Sequence, residues 1–230
     1  MTQYSIDEFV QKNAQDVQAD SLFELENPYL LEVNLRQRAW AKIGTMIAYV
    51  GDVKFSRESV MKQGMKKFLK KMVSGEGTTL MRMEGQGRVY LADEGKKVQI
   101  LQLAGDTIFV NGNDLLAFEK GIEWDIKMMK RASSMLAGGL FNVELSGRGL
   151  VALTTHYDPL TLRVQPGQPI FTDPNATVAW SGTLSPEIET DISFKTFIGK
   201  GSGESIQLKF DGDGWVVLQP FEETYATQQS

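Results

Sequence analysis

Three times along this chain a Gly-x-Gly triplet stands between two runs of alternating apolar residues. Gly85 and Gly87 lie in "LMRMEGQGRVYLA", Gly147 and Gly149 in "FNVELSGRGLVALT", and Gly212 and Gly214 in "IQLKFDGDGWVVLQ". Met81/Met83, Phe141/Val143/Leu145 and Ile206/Leu208/Phe210 alternate before the glycines, and Val89/Leu91, Val151/Leu153 and Val216/Leu218 after them. A period of two marks half-buried strands, and glycine between two such runs marks a tight turn or a bulge. Each unit is therefore predicted as strand, glycine-bearing turn, strand. A phosphate-cradling loop would lead from a strand into a helix N-terminus, whereas here a strand follows each time. The middle residue is Gln86, Arg148 or Asp213, a freedom of charge that suits an exposed turn and not a shared anion site.

A second landmark returns between the glycine pairs, an apolar residue, Ala and an aromatic: Ile47-Ala48-Tyr49, Leu116-Ala117-Phe118 and Val178-Ala179-Trp180. Gly85 precedes Ala117 by the same interval that separates Gly147 from Ala179. Equal spacing of two independent landmarks identifies an internal repeat. The chain reads as a half unit ending at Tyr49, two complete units, and a terminal half unit beginning near Gly201. This order predicts pseudo-threefold architecture in which the two end halves pair, with the three aromatics buried. Residues 1–20 form an N-terminal helical segment with a short helix around Ile6 to Gln15, 21–222 a single unit of three β repeats, and 223–230 a frayed tail.

The connections carry a second periodicity. In "SRESVMKQGMKKFLKKMVS", Val60, Met61, Met65, Phe68, Leu69 and Met72 recur at helical spacing, with Lys62, Lys66, Lys67, Lys70 and Lys71 elsewhere. In "GIEWDIKMMKRASSMLAGG", Ile122, Ile126, Met129 and Leu136 follow the same rule and Gly138 is placed to stop a helix. "SPEIETDISFKTFIGKGSG" is less clearly helical.

Together "NDLLAF", "AGGLFNVELSGRG", "TVAW" and "GSGESIQLKFDGDGWVVLQP" resemble the altered-inheritance-of-mitochondria family over roughly Leu22 to Pro220. Bacterial members of that family carry three similar β modules with a fold like that of the tryptophan RNA-binding attenuator protein. The resemblance implies a mainly β chain of antiparallel modules, a sandwich or barrel, with two or three short helices in its connections. It also implies self-association, and it names no reaction; a homotrimer is the expected assembly.

Composition narrows the chemistry. The net charge is -5, which disfavours nucleic-acid binding by bulk charge. With no cysteine there is no disulfide, thiolate metal site or thiol nucleophile. The start carries acidic residues and no apolar core, unlike a secretory or transit peptide, and a cytoplasmic location is expected. His156 is the only histidine, beside Asp158 in "TTHYDPLTL", so imidazole-rich metal centres are excluded and no nucleophile elbow completes a triad. Asp211 and Asp213 have the opening spacing of a calcium loop, but Trp215 and Val217 occupy the next alternate positions. "GKGSGE", Gly199 to Glu204, leads into an alternating strand pattern. No catalytic residue, cofactor or metal site is assigned.

The departure from net charge is local: Arg57, Lys62, Lys66, Lys67, Lys70 and Lys71 face Glu58 alone. A basic amphipathic helix can lie on an anionic membrane surface or bind an acidic protein. The expectation is a non-catalytic scaffold that self-associates through its β modules, with that helix as interaction surface and a peripheral membrane position as its consequence. The alternative, by analogy with the attenuator-protein fold, is a small-ligand or RNA-binding module.

Overall fold

The computed structural model describes residues 3–16, 21–57, 80–128, 141–190 and 206–222. The chain begins with α1 (Ile6–Lys12), where Ser5 Oγ accepts the Glu8 N–H and the Glu8 carboxylate accepts the Ser5 N–H. That reciprocal cap satisfies two of the amides a helix start leaves open. No residue of α1 is buried.

Strands make up the rest of the regular structure among the described residues. β1 (Phe23–Asn27), β2 (Leu30–Leu35), β3 (Arg38–Lys42), β4 (Met46–Arg57) and β5 (Leu80–Leu91) come first. β6 (Lys97–Asn111), β7 (Leu115–Glu119), β8 (Ile122–Met128) and β9 (Phe141–Thr155) follow. β10 (Leu160–Val164), β11 (Ile170–Thr172), β12 (Thr177–Ser181), β13 (Glu187–Thr190), β14 (Ile206–Phe210) and β15 (Gly214–Leu218) complete the described chain. Every pairing is antiparallel. The larger sheet runs β1-β2-β5-β3-β7-β9-β6-β12-β15-β10, with β4 beside β5 and β8 beside β9, and β11-β14-β13 form a smaller one. The long path has two ends, so the fold is mainly β but not a closed barrel.

The glycine pairs do not act as predicted in the first two copies. Gly85 and Gly87 lie inside the unbroken strand β5, and Gly147 and Gly149 inside β9. Only around Gly212 does the strand part, into β14 and β15. The glycines bend a strand so that its two halves can take different neighbours. Leu80–Glu84 lies against β3 and Gly87–Leu91 against β2, while β4 follows the other edge along the whole length. Gly85 has φ +130, and a Cβ there would stand 2.0 Å from the Asp52 carbonyl oxygen; at Gly87 it would stand 2.1 Å from that of Val50. The two strands approach too closely for any side chain at the bend.

This set of pairings is made three times in succession. β9 has β6 along one edge and β8 then β7 along the other. β15 lies between β10 and β12, and β14 between β11 and β13. The Ala of each Ala-aromatic pair stands opposite the third residue past the glycines: Ala48 opposite Tyr90, Ala117 opposite Ala152, Ala179 opposite Val217. A backbone bond repeats beside it, with the Ala92, Thr154 and Gln219 N–H groups donating to the carbonyls of Thr45, Asp114 and Ala176. Each set closes within one contiguous stretch, 30–91, 97–155 or 160–218. The predicted exchange between end halves is thus corrected: β14 and β15 pair with β10–β13 and not with β2–β4.

The stretches are joined by two short ladders. β3 pairs with β7, Ala39 to Glu119, Trp40 to Phe118 and Ala41 to Ala117. β6 pairs with β12, Ile108 to Ser181, Phe109 to Trp180 and Val110 to Ala179. At the centre of each ladder two rings stack at 5.5 Å, Trp40 on Phe118 and Phe109 on Trp180, a separation at which aromatic pairs attract beyond their buried area.

Two helices are anticipated in the connections. Residues 122–128 are the strand β8, paired along β9 with Ile122, Trp124 and Ile126 in alternation. A four-residue step belongs to both periods, and there the strand wins because an edge of β9 awaits it. Of the helix anticipated over 57–74, Arg57 is instead the last residue of the strand β4, and 58–74 lies outside the described residues.

Gly85→Ala should lower stability by about 3 kcal/mol, combining a strained φ with a backbone collision. Gly95→Ala, at φ +74 with open space around it, should cost about 1 kcal/mol. Denaturant midpoints at unchanged m measure both.

Candidate functional site

Equivalent strands in the three stretches differ in one respect, which is what covers them. β7 is buried at Leu115, Leu116, Ala117 and Phe118, and β12 at Thr177, Val178, Ala179 and Trp180. The matching residues of β4 are exposed: Met46, Ile47 at 59%, Ala48 and Tyr49 at 49%. Val50, where the other copies have Glu119 and Ser181, is 64% exposed. β7 is covered because β3 of the preceding stretch lies against it, and β12 because β6 does. No described strand lies against the outer edge of β4.

The complementary edge is at the other end. β11 is to β14 what β3 is to β5: Ile170 opposes Phe210, Phe171 opposes Lys209 and Thr172 opposes Leu208. Phe171 therefore occupies the place of Trp40 and Phe109, and it is 47% exposed. A strand edge with unpaired amides and carbonyls beside large apolar side chains is a template for a further strand.

Two polar clusters sit inside the fold. Between the first and second stretches, Lys42 Nζ donates to both Asp93 oxygens (3.1 and 2.9 Å) and to the Asn113 carbonyl (2.9 Å). Thr154 Oγ1 donates to Asp93 (3.1 Å), and Lys96 Nζ to Asp114 Oδ1 (3.1 Å). Asp93, Lys96, Asp114 and Thr154 are buried. Two ammonium groups meet two carboxylates, so the cluster is balanced, and its chemistry is that of a clamp. At the corresponding place between the second and third stretches the contacts are neutral: Asn111 Nδ2 donates to the Thr177 carbonyl and the His156 N–H to Gln219 Oε1.

The other cluster centres on Glu32, buried on β2, with Oε2 3.9 Å from Arg88 Nη1. Burial pushes its carboxyl above the usual value, and the neighbouring Glu26 carboxyl adds to this, while Tyr90 and Arg88 act against it. Burial and the same Glu32 push the Tyr90 hydroxyl up.

The residues singled out from sequence are scattered. Lys62, Lys66, Lys67, Lys70 and Lys71 lie outside the described residues, as does 199–205. His156 stands just beyond β9 with its ring 4.0 Å from that of Phe221, and Asp158 pairs with Lys97 at 2.6 Å. Asp211 Oδ1 accepts the N–H groups of Gly167 and Gly212 at 3.1 and 2.8 Å, a loop-fixing role. Phe118 and Trp180 are buried as anticipated; Tyr49 is not. Among the described residues no three His, Asp or Glu side chains converge as a metal site, and no helix is long and apolar enough to cross a membrane. Sequence reasoning passed over the Lys42, Asp93, Lys96 and Asp114 cluster, whose members carry no spacing signature, and the free edges, which are a property of pairing.

The sequence profile of the mitochondrial biogenesis AIM24 family matches residues 23–221. The crystal structure of a Streptococcus pyogenes protein is similar in fold, with a TM-score of 0.68 at 21% identity over 87% of this chain and 92% of that one. No curated protein matches the chain.

Asp114→Ala leaves the buried Lys96 ammonium without that acceptor and should cost about 3–5 kcal/mol, much of it recovered when Lys96→Met and Asp114→Leu are combined; chemical denaturation reads both. Because the Glu32 carboxyl is raised in the folded state, its stabilising contribution is complete below the ordinary value of 4.5 and is lost as pH rises through the raised one. Glu32→Gln should therefore gain in melting temperature over the unsubstituted chain as pH rises above 4.5.

Proposed function

The chain belongs to the mitochondrial biogenesis AIM24 family, and from that premise we propose that it is a non-catalytic scaffold that self-associates through its β modules. The three stretches are copies of one module, with a fold like that of the tryptophan RNA-binding attenuator protein. The single observation that carries the reading is the apolar surface of β4, exposed at positions whose counterparts on β7 and β12 are buried. Obligate exposure of Ile47, Tyr49 and Val50 on one edge costs solubility and yields nothing unless a partner covers them.

The charged and polar groups support a structural role. The Lys42, Asp93, Lys96 and Asp114 cluster spends its hydrogen bonds on strands and on the Asn113 carbonyl. RNA readers present aromatic platforms to unstacked bases, whereas Phe118 and Trp180 are stacked on Trp40 and Phe109 inside the sheet. The basic segment carrying Lys62, Lys66, Lys67, Lys70 and Lys71 gives the assembly a second surface, for an anionic membrane or an acidic protein.

Light scattering on the purified protein should give a mass that is a multiple of 25.6 kDa. A single-chain mass at every concentration would overturn self-association. For the basic segment, sedimentation with anionic vesicles should exceed that with neutral ones, and equal, negligible binding to both removes the membrane contact.

A further inference from the structure

Resting on the self-association proposed above, we infer that β11 of one copy pairs with β4 of the next, head to tail, in the register the chain already uses twice within itself. Phe171 then stands opposite Tyr49, Ile170 opposite Val50 and Thr172 opposite Ala48. The register comes from superposing the three stretches on their glycine pairs. Met83, Leu145 and Phe210 hold equivalent places two residues ahead of the glycines, and their partners are Ala39, Ile108 and Ile170. Val89, Val151 and Val216 hold equivalent places two residues past them, and their partners are Tyr49, Phe118 and Trp180.

The inner ladders set Trp40 against Phe118 and Phe109 against Trp180. By the same rule the third pair is Phe171 against Tyr49, the two half-exposed rings at the ends of the chain. Tyr49 already touches Phe55 edge-on at 5.1 Å, as Phe118 is tilted against Trp124 at 6.2 Å; both pairs are six residues apart on equivalent strands. What Tyr49 lacks relative to Phe118 is the ring stacked from a preceding stretch.

The length of the ladder agrees. Each inner ladder has three pairs, and β11 has three residues, with Pro169 directly before it and Pro174 separated from it by Asp173 alone. Proline has no N–H to donate, so Pro169 stops a longer ladder at one end and Pro174 leaves room for no more than Asp173 at the other. Added strands of this kind draw affinity from main-chain bonds and specificity from alternate side chains.

The contact uses a different surface on each partner. Such an interface is heterologous, and it makes a ring when the rotation closes and a filament when it does not. It also means that one chain with a spoiled β11 and another with a spoiled β4 can satisfy each other once and no further.

That asymmetry gives the test. Phe171→Lys and Tyr49→Lys, both at exposed positions, should each fall to a single-chain mass by light scattering while keeping the unfolding midpoint of the isolated chain. Mixed at equal concentration they should form a species of two chains and nothing larger. Because the chain has no cysteine, Val50→Cys and Ile170→Cys on separate chains provide a second reading: oxidation should link them, since directly opposed strand residues lie within disulfide reach. Full assembly by Phe171→Lys alone, with no cross-link, would overturn this register and leave self-association standing. A single-chain mass for the unsubstituted protein would overturn both. A doubly substituted chain that links only to itself would show that β11 folds back on its own β4, and would overturn the contact between copies.

Discussion

A β-strand has two edges, and the N–H and C=O groups along both must find partners or face water. In this chain the long strands β5 and β9, and the broken pair β14 and β15, are flanked on both edges. Most of the fold follows from how that is arranged. A straight strand of twelve or fifteen residues would need neighbours of equal length. Glycines at positive φ bend β5 and β9, so along one edge each half takes a separate, shorter neighbour while β4 and β6 follow the other edge, and the core is divided among several clusters. The first surrounds Val33, Met83 and Val89, the second Phe118, Leu145 and Val151, the third Trp180, Phe210 and Val216. Each cluster is centred on one stretch and takes in residues of its neighbour: the first includes Leu116, Ala117 and Ala152, the second Val178 and Ala179.

The joints between stretches use a different interaction. Three residue pairs make a weak ladder, and the rings at their centres add contact area that backbone bonds alone do not supply. Trp40 on Phe118 and Phe109 on Trp180 are nearly parallel, at 8° and 16°. Because these rings belong to strands on either side of a joint, they fix register as well as attraction. A slip of one residue would leave the two rings on opposite faces of the sheet.

Much of this was legible in the chain. The glycine pairs and the Ala-aromatic pairs stand at matching places in the pairings of β5, β9 and β15, and α1, Ile6–Lys12, lies within the short helix expected around Ile6 to Gln15. The misreadings have physical causes. Glycine with φ near +130 serves a bend inside a strand as well as a turn, and sequence does not separate the two. Ile122 and Ile126 satisfy a helix and a strand equally, so the decision fell to the open edge of β9, a partner distant in sequence. The expected burial of Tyr49 came from its likeness to Phe118 and Trp180, but burial depends on what lies across the edge. Lys42 and Asp93, or Lys96 and Asp114, are brought together by β3, β7 and the turns beside them, with no local pattern to announce it.

The buried ion pairs between the first and second stretches have a bearing on how such a chain can change over generations. Tandem copies are prone to loss by recombination, which would fuse residues before 97 to those after 155. Here that deletion would bring Lys96 to the place of Ala176, the counterpart of Asp114, and bury an ammonium against a methyl group. The neutral contacts of Asn111 and Gln219 offer no carboxylate in exchange. The three stretches are therefore not interchangeable at their joints, and a chain of two could not be cut from this one without mending the charge.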